Sequence, residues 1–345
     1  AEAHDMGYRF NLGIEPEFYV FKRREDGSLT PITDTQFKGP NACYDVALAA
    51  QSQSVLAPIA DYFEQLGWGL YSFDQECGRG QHEFDFGYTN ALTMADRFIF
   101  LRFMLKQVAQ SIGAVASFMP KPFADDFRSG AHFNMSIADR ETGANLFAPG
   151  TAQGTELSEK YAVPHSDLAL HFTAGLLRHA GAITALSCPT YNSYQGLTAQ
   201  GDLADFSWAP ILKIWGKNNR SAMLRFPMNR YCVENRATDA ACNPYLAAAL
   251  TLAAGLEGIR EKIDPGGPIN TDVYKMGRKA LKDAGIGTLP PTLLHALEAF
   301  EEDPLVERAL GAEFKNIFLE HKRKEWEKTF FHVSAEQREA MLTFI

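Results

Sequence analysis

Six side chains of this sequence have the chemistry to bind hard divalent cations, and they come from separate segments of the chain: Glu15, Glu17, Glu76, Glu83, His132 and Glu234. Each lies in a predominantly apolar, strand-like stretch, where burying an unpaired charge is costly. Alternate side chains of a strand share a face, so Glu15 and Glu17 project together while Pro16 points away. Two like charges on one buried face repel each other unless they share a proton or a cation lies between them. Five carboxylates and one imidazole therefore predict two adjacent sites for magnesium or manganese ions.

The same alternation applies to the other four ligands. The side chains of Glu83 and Asp85 face one way, and the glycines between Glu76 and Glu83 permit a tight turn that brings these two carboxylates together. The neighbours on the same strand face are Asn134 and Ser136 for His132, and Cys232 and Arg236 for Glu234. Any one of these residues alone is better explained as a salt-bridged strand residue, so the prediction depends on their combination.

In their order along the chain, these segments resemble the glutamine synthetase superfamily over nearly the whole sequence. The similar motifs are Gly13–Phe18, Gly80–Glu83 with Asn90–Arg97, Phe118–Phe123 with Ser129–His132, Asn192–Tyr194, Asn219–Ala222 and Asn243–Leu246. No single motif is specific, but their conjunction in this order is. The resemblance implies an α+β fold in which a curved, mostly antiparallel β-sheet forms a partial barrel with helices packed outside.

The resemblance also implies how the six ligands divide between two cations. One cation, bound by Glu17, Glu76 and Glu83, would hold the region of the substrate carboxylate. The other, bound by Glu15, His132 and Glu234, would hold the phosphates of ATP. Three arginines resemble catalytic or ATP-binding residues of the family: Arg220 at the transferring phosphate, Arg236 beside glutamate and the phosphoryl group, and Arg225 at the ATP phosphates. Arginines in strand-like segments favour this interpretation, because a fixed positive charge there needs an anion.

Three further positions are similar to nucleotide-binding residues of the family. Tyr88 aligns with an aromatic ring that stacks on adenine, although a core aromatic explains it nearly as well. Asn134 and Ser136 align with polar residues on the nucleotide side. Many family members have a second histidine where this chain has Asn134.

The departures from the family pattern cluster at the amino-acid and amine end of the site. After Asn192–Tyr194 the family usually continues Lys-Arg-Leu, with the arginine binding the substrate carboxylate, whereas this chain has Gln195, Gly196 and Leu197. The asparagine and glycine that precede the family's Ser-Gly-x-His motif are replaced here by Phe127 and Arg128, and Arg128 could supply the missing charge. The glutamate of the family's mobile loop has no clear counterpart, and we favour Asp202 over Asp205 as the loop carboxylate.

The expected activity is ATP-dependent ligation of the γ-carboxylate of glutamate to an amine, through a γ-glutamyl phosphate. The altered amine end favours ammonia or a small alkylamine as acceptor, as in type III glutamine synthetase-like or γ-glutamylmethylamide synthetase-like members. Three alternatives stay open: a ligase for a larger amine or polyamine, a non-catalytic structural ring protein, and a dinuclear metallohydrolase that needs no nucleotide.

Composition agrees with a metabolic enzyme. The 345 residues carry a net charge of −9 with both signs interspersed, which argues against a nucleic-acid or anionic-membrane partner. Five scattered cysteines without a Cys-x-x-Cys pair argue for a reducing, cytoplasmic location and against a disulfide framework. The resemblance implies homo-oligomeric stacked rings of the dodecamer type. It also implies that residues 1–345 are a catalytic domain, without the smaller β-grasp domain that precedes it in family members.

The ligand-bearing strands alternate with helices along the chain. Helices are predicted for 47–66 with an interruption near Pro58, for 90–112, for 166–186, and from Asn243 to about Lys262. A Ser334–Gln337 capping box predicts the start of the last helix. A mostly antiparallel sheet with helices packed against it suits this pattern.

Overall fold

The longest strand of the fold carries the first two predicted ligands, and it lies near the middle of a ten-stranded sheet. The structure is a computed structural model that describes residues 2–33, 43–151, 154–197 and 209–342. Within these residues the strands are β1 (Tyr8–Arg23), β2 (Leu29–Pro31), β3 (Leu70–Gln75), β4 (Gln81–Phe86), β5 (Thr89–Asn90), β6 (Ala114–Ser117), β7 (Ala131–Asp139), β8 (Leu212–Lys217), β9 (Ala222–Phe226) and β10 (Val233–Asn235).

The helices of the same residues are α1 (Glu2–Asp5), α2 (Val46–Gln51), α3 (Gln53–Gln65), α4 (Ala91–Ser111), α5 (Glu156–Tyr161), α6 (Asp167–Arg178), α7 (Ala180–Ser187), α8 (Tyr191–Gly196), α9 (Pro244–Glu261), α10 (Arg278–Asp283), α11 (Leu293–Glu302), α12 (Pro304–Leu310), α13 (Ala312–Phe330) and α14 (Ala335–Leu342). A short 3-10 helix spans Val273–Lys275. None of the helices in the described ranges is long and apolar enough to cross a membrane.

The sheet is open and mostly antiparallel, as the sequence predicts. Its main path runs β3-β4-β1-β7-β10-β9-β8, and β2, β5 and β6 pair with β1 beside this path. Only β8 and β9 pair in parallel among the strand pairs of the described residues. Helices α3, α4 and α6 contact the sheet, and apolar side chains of the strands alternate with the charged ones of the opposite face. Phe10 of β1, for example, meets Phe172 of α6 with ring centroids 6.2 Å apart.

Most of the predicted helix limits are confirmed by the side chains that cap them. The Asn90 side chain accepts a hydrogen bond from the Thr93 amide at the start of α4, and Asn243 caps α9 just ahead of Pro244. Ser334 and Gln337 exchange the two bonds of a capping box before α14.

Two predicted helices are divided in a way that the sequence pattern did not predict. The predicted interruption near Pro58 was wrong, because Pro58 lies inside α3. The helix is instead interrupted at Ser52, whose amide closes the last turn of α2. The predicted helix over 166–186 is two helices that meet at His179. In both cases the local pattern is helical on each side of the break.

One prediction about the cysteines was also wrong. Cys43 and Cys77 form a disulfide, with Cα atoms 4.4 Å apart across a sequence separation of 34. The turn between β3 and β4 brings Cys77 beside the chain that leads into α2, and sequence spacing carries no signal for this contact. Cys188, Cys232 and Cys242 are free and buried.

Candidate active site

Strand register places the predicted ligands directly opposite one another on one face of the sheet. Glu15 of β1 faces His132 of β7, and Glu17 faces Glu83 of β4. Glu234 of β10 faces Asn134 of β7 on one side and Arg225 of β9 on the other. Residues directly opposite in an antiparallel pair have Cβ atoms about 5 Å apart, so five strands build one continuous polar patch.

The first group of ligands is Glu15, His132 and Glu234. The Nδ1 atom of His132 lies 3.2 Å from an oxygen of Glu15 and 3.8 Å from an oxygen of Glu234. One ligand atom from each of the three residues lies within 4.8 Å of the others. Two carboxylate oxygens and an imidazole nitrogen at this spacing fit one divalent cation.

The charge of Glu15 is strongly favoured in this arrangement. Burial would raise the pKa of Glu15, but the hydrogen bond and charge of His132, together with the charge of Arg230, lower the pKa to about 2. Glu234 is fully buried and is held between two guanidinium groups, at 2.5 Å from Arg225 and 2.7 Å from Arg236. Glu15 is therefore held as an anion, which a cation ligand requires, and Glu234 is oriented by its two guanidinium partners.

The second group of ligands is Glu17, Glu76 and Glu83. The tight turn predicted between β3 and β4 is present, with Gly80 at φ +81°, and the side chains of Glu76 and Glu83 are hydrogen-bonded to each other. Burial and the charge of Glu17 raise the pKa of Glu76 to about 7. Burial, with the nearby charges of Glu15 and Glu17, raises the pKa of Glu83 well above its usual range. Such repulsion is what a bound cation relieves, so the chemistry of the three carboxylates suits a second cation, whereas among the described residues only the first group has its ligand atoms within 4.8 Å of one another.

Glu17 connects the two groups of ligands, and the position of both groups depends on the absence of a side chain at Gly130. The Nε2 atom of His132 lies 3.6 Å from Glu17, whose other oxygen accepts hydrogen bonds from Gln81 and from the Gly130 amide, each 2.8 Å long. A Cβ atom at Gly130 would lie 2.7 Å from His132 Nε2 and 2.9 Å from Glu17. Only glycine leaves these ligands the space they occupy.

These groups line a cavity of about 770 Å³, which also contains the predicted arginines. Arg220, Arg225 and Arg236 all reach the cavity wall, and Arg236 additionally donates to the backbone carbonyl of Arg220 over 3.1 Å. The cavity thus combines carboxylates that can hold cations with guanidinium groups that can hold anions, which suits a polyphosphate and a carboxylic acid bound together.

The remaining predicted residues lie around this cavity or outside the described part of the chain. Asn134 donates to Glu15 over 2.8 Å, so it supports the first group of ligands. Ser136 is buried two residues further along β7 and does not line the cavity. Tyr88 is 68% exposed, so the core-aromatic interpretation is wrong, and its Cβ lies close to Gly13 and thus near Asn134. Asp202 and Asp205 fall outside the described residues.

Three charged residues of the cavity were not predicted as functional: Asp74, Asp85 and Arg230. Asp74 faces Glu83 across the β3–β4 pair, and burial with the charge of Glu15 raises the pKa of Asp85 to about 7. Arg230 donates to Glu15 over 3.0 Å and to Asn134 over 2.9 Å. Strand alternation could have included Asp85, but Asp74 and Arg230 follow only from register and from loop placement.

Comparison with known proteins identifies the family. The family described as glutamine synthetase, catalytic domain, matches residues 1–341. A glutamate–methylamine ligase of Methyloversatilis universalis is 38% identical over 340 residues, which are 98% of this chain and 73% of that protein. A glutamine synthetase of Rhizobium meliloti is 38% identical over 327 residues, which are 94% of this chain and 71% of that protein.

A solved structure agrees with the fold. The structure described as a GmaS/ADP complex superposes with a TM-score of 0.86 at 34% identity, covering 99% of this chain and 75% of that chain. The predicted fold class, an α+β fold around a large and mostly antiparallel sheet, is therefore confirmed. The chain belongs to the glutamine synthetase family.

Proposed function

We propose that this protein joins the γ-carboxylate of glutamate to ammonia or a small alkylamine, with ATP as the source of energy. The observation that carries the proposal is that both groups of candidate cation ligands and several arginines line one cavity. The family relationship supports the use of ATP and of divalent cations. The named relatives include both a glutamate–methylamine ligase and a glutamine synthetase.

The reaction needs two displacement steps because a carboxylate is a poor electrophile. In the first step a γ-carboxylate oxygen of glutamate attacks the γ-phosphorus of ATP, and ADP leaves. In the second step the amine nitrogen attacks the acyl carbon of γ-glutamyl phosphate, phosphate leaves, and the nitrogen loses a proton. Phosphoryl transfer depends mainly on positioning and charge neutralisation, which the cavity side chains can supply.

We assign the site residues as the sequence predicts. Magnesium or manganese ions, when bound by Glu17, Glu76 and Glu83 and by Glu15, His132 and Glu234, supply positive charge that neutralises the reacting oxygens. Arg220 and Arg236 stabilise the transferring phosphoryl group, and Arg225 binds the phosphates of ATP. Glu234 holds Arg225 and Arg236 in place through ion pairs of 2.5 and 2.7 Å.

On the nucleotide side, we assign stacking on adenine to the exposed ring of Tyr88 and a polar contact to Asn134, while Ser136, predicted for the same role, is buried outside the cavity. Asp202 is our candidate for the group that accepts the proton of the amine. Substitution Asp202→Asn tests that role through the pH dependence of the second step.

The first experiment measures ADP release with glutamate and magnesium, using ammonia, methylamine and a polyamine as separate acceptors. We expect a higher kcat/KM for methylamine than for ammonia, as the relationship to the glutamate–methylamine ligase suggests. A preference for ammonia would make the protein a glutamine synthetase in its chemistry. The matched control is Glu234→Gln, which keeps the shape of the site but removes a charge that both arginines and a cation need.

Two outcomes contradict the proposal. If ADP release by the wild-type protein does not exceed that of the Glu234→Gln control with any acceptor, a non-catalytic ring protein is favoured. If ATP analogues also fail to raise the melting temperature, a metallohydrolase is favoured instead.

We also propose that the protein forms homo-oligomeric rings of the dodecamer type. What supports self-association is an apolar groove between α3 and α4, lined in part by Leu66, Phe100 and Phe103. These three side chains are 43%, 43% and 57% exposed, which is unusual for large apolar side chains grouped together on a single chain.

A further inference from the structure

We propose that Arg128 binds the α-carboxylate of the glutamate substrate and so determines which carboxylic acids the enzyme accepts. This inference rests on the proposed ligase function. Arg128 lies in the loop between β6 and β7, lines the cavity, and is only 8% exposed. Its Nη2 atom donates to the backbone carbonyl of Ala237 over 2.9 Å. Its Nε and Nη1 atoms are buried and have no hydrogen-bond partner among the described residues.

The missing partner of Arg128 is best explained as an anion that belongs to a ligand. The other arginines of the cavity are already engaged: Arg225 and Arg236 with Glu234, Arg230 with Glu15, and Arg220 with Tyr44. Arg128 makes no ion pair within 4.0 Å with a described carboxylate; the charge of Arg128 acts on the pKa of the buried Asp239 and lowers it, but less than burial raises it, and no hydrogen bond joins the two side chains. Burying a guanidinium group with two free donors is costly, and a carboxylate matches the fork of two N–H groups that it presents.

The space that Arg128 occupies exists because residue 196 has no side chain. A Cβ atom at Gly196, the last residue of α8, would lie 2.8 Å from Arg128 Cβ and 3.6 Å from its Cδ. Large side chains at positions 128 and 196 therefore exclude each other. Glycine and arginine are exchanged between these two positions relative to the family. The usual pattern has glycine at the position of Arg128 and arginine at the position of Gly196. Side chains at these two positions would compete for the same space, so only one of them can be large.

The backbone of Arg128 is fixed relative to the second group of ligands. The side-chain amide of Gln81 donates both to Glu17 and to the carbonyl oxygen of Arg128, each over 2.8 Å. On either side, Tyr19 donates to the Phe127 carbonyl and the Ser129 amide donates to the Pro120 carbonyl, both over 2.7 Å. The γ-carboxylate must lie beside the ligands and the phosphate, so the group left for Arg128 is the α-carboxylate at the other end of glutamate.

The test compares glutamate with 4-aminobutyrate, which keeps the reacting carboxylate and the amino group but lacks the α-carboxylate. For Arg128→Gln we expect kcat/KM for glutamate to fall at least about 100-fold, since a buried charge loses its partner. We expect the KM for ATP and the activity with 4-aminobutyrate to change less than about threefold. Arg128→Lys should recover only part of the loss, because an ammonium group cannot form the two-pronged contact.

The decisive variant is the exchange Arg128→Gly with Gly196→Arg in one chain. We expect it to recover activity with glutamate at least about tenfold over Arg128→Gly alone, which a merely structural role would not allow. Arg323→Gln, on the exposed surface of α13, is the control and should match the wild-type protein. Unfolding curves confirm that each variant is folded.

The inference is overturned if the wild-type enzyme is active but Arg128→Gln retains its preference for glutamate over 4-aminobutyrate. It is also overturned if ATP and glutamate kinetics worsen equally in Arg128→Gln, since that marks a general loss of structure. Absence of activity in the wild-type protein with every amine would instead contradict the proposed ligase function, so the two failures are distinguishable.

Discussion

At the level of single residues, the packing of the two ligand groups leaves room for hydrogen alone at position 130. The Gly130 amide holds Glu17, while the missing side chain makes room for His132 and Glu17 on either side. A side chain that binds a cation needs both the right charge and the right orientation. The groups that orient it affect cation affinity nearly as much as the side chain itself. The glycine therefore acts on cation binding without contacting the cation.

We predict that Gly130→Ala weakens manganese binding about 10- to 100-fold, because the new methyl group displaces His132 or Glu17. Titration calorimetry with manganese measures the affinity directly. Gly267→Ala is the matched control, since its added Cβ atom would meet no atom closer than 4.0 Å. Unchanged manganese affinity in Gly130→Ala would show that the ligands tolerate displacement.

At the level of elements, a buried histidine joins four helices away from the cavity. His179 lies between α6 and α7, and its two ring nitrogens contact Asp303 at 2.7 Å and Glu257 at 2.8 Å. Arg178 and Arg308 also contact Glu257. Burial lowers the pKa of His179, but the hydrogen bonds of Asp303 and Glu257 outweigh burial and raise it. The pKa values of Asp303 and Glu257 are lowered, against the effect of burial, by their hydrogen bonds to His179.

The sign of the pH dependence follows from these shifts. His179 is protonated more readily in the folded state than in the unfolded state. Its contribution to the free energy of unfolding is therefore fully present below its unfolded pKa, about 6.5, and is lost as pH rises through its folded pKa. The two carboxylates contribute above their unfolded pKa values, about 4, and lose their contribution as pH falls through the lower folded values. The network is therefore most stabilising between about pH 4.5 and 6.5.

We predict that His179→Gln lowers the free energy of unfolding by about 3 kcal/mol near pH 6, since it leaves buried carboxylates without their partner. The deficit should shrink as pH rises above the folded pKa of His179. Urea unfolding at a series of pH values measures it, with the exposed His321→Gln as control. A deficit that does not vary with pH would contradict the charged form of His179.

At the level of the whole molecule, the apolar groove between α3 and α4 has the composition of an interface. Its cavity of about 410 Å³ is lined mainly by apolar side chains, in contrast to the charged active-site cavity. Removing such a surface from water is favourable at roughly 25 cal/mol per Å², and a second copy of the chain is the partner that ring assembly implies.

We predict that Phe103→Asp converts the oligomer into smaller species at micromolar concentration, because it places a charge in the centre of the groove. Light scattering after size-exclusion chromatography measures the molar mass. Ile317→Asp, on the exposed face of α13, should leave the mass unchanged. A wild-type protein that is monomeric would contradict the interface, as would a Phe103→Asp variant of unchanged mass.

Local sequence determined the elements and the identity of the ligands. Caps such as Asn90 and Asn243 define helix starts through contacts within three residues, and strand alternation alone places Glu15 and Glu17 on one face. Short-range rules of this kind need no knowledge of the rest of the chain. The six candidate ligands, drawn from five segments, could therefore be proposed from the sequence and its resemblance to a family.

Tertiary structure decided everything that depends on register and on loop placement. The pairing of Glu15 with His132 and of Glu17 with Glu83 fixes the geometry of the site, and a shift by one residue would turn these side chains to the other face. The Cys43–Cys77 disulfide, the contacts of Arg230 and the packing of Arg128 over Gly196 join residues far apart in sequence. Such contacts depend on the path of the whole chain, and for that reason only the folded structure could reveal them.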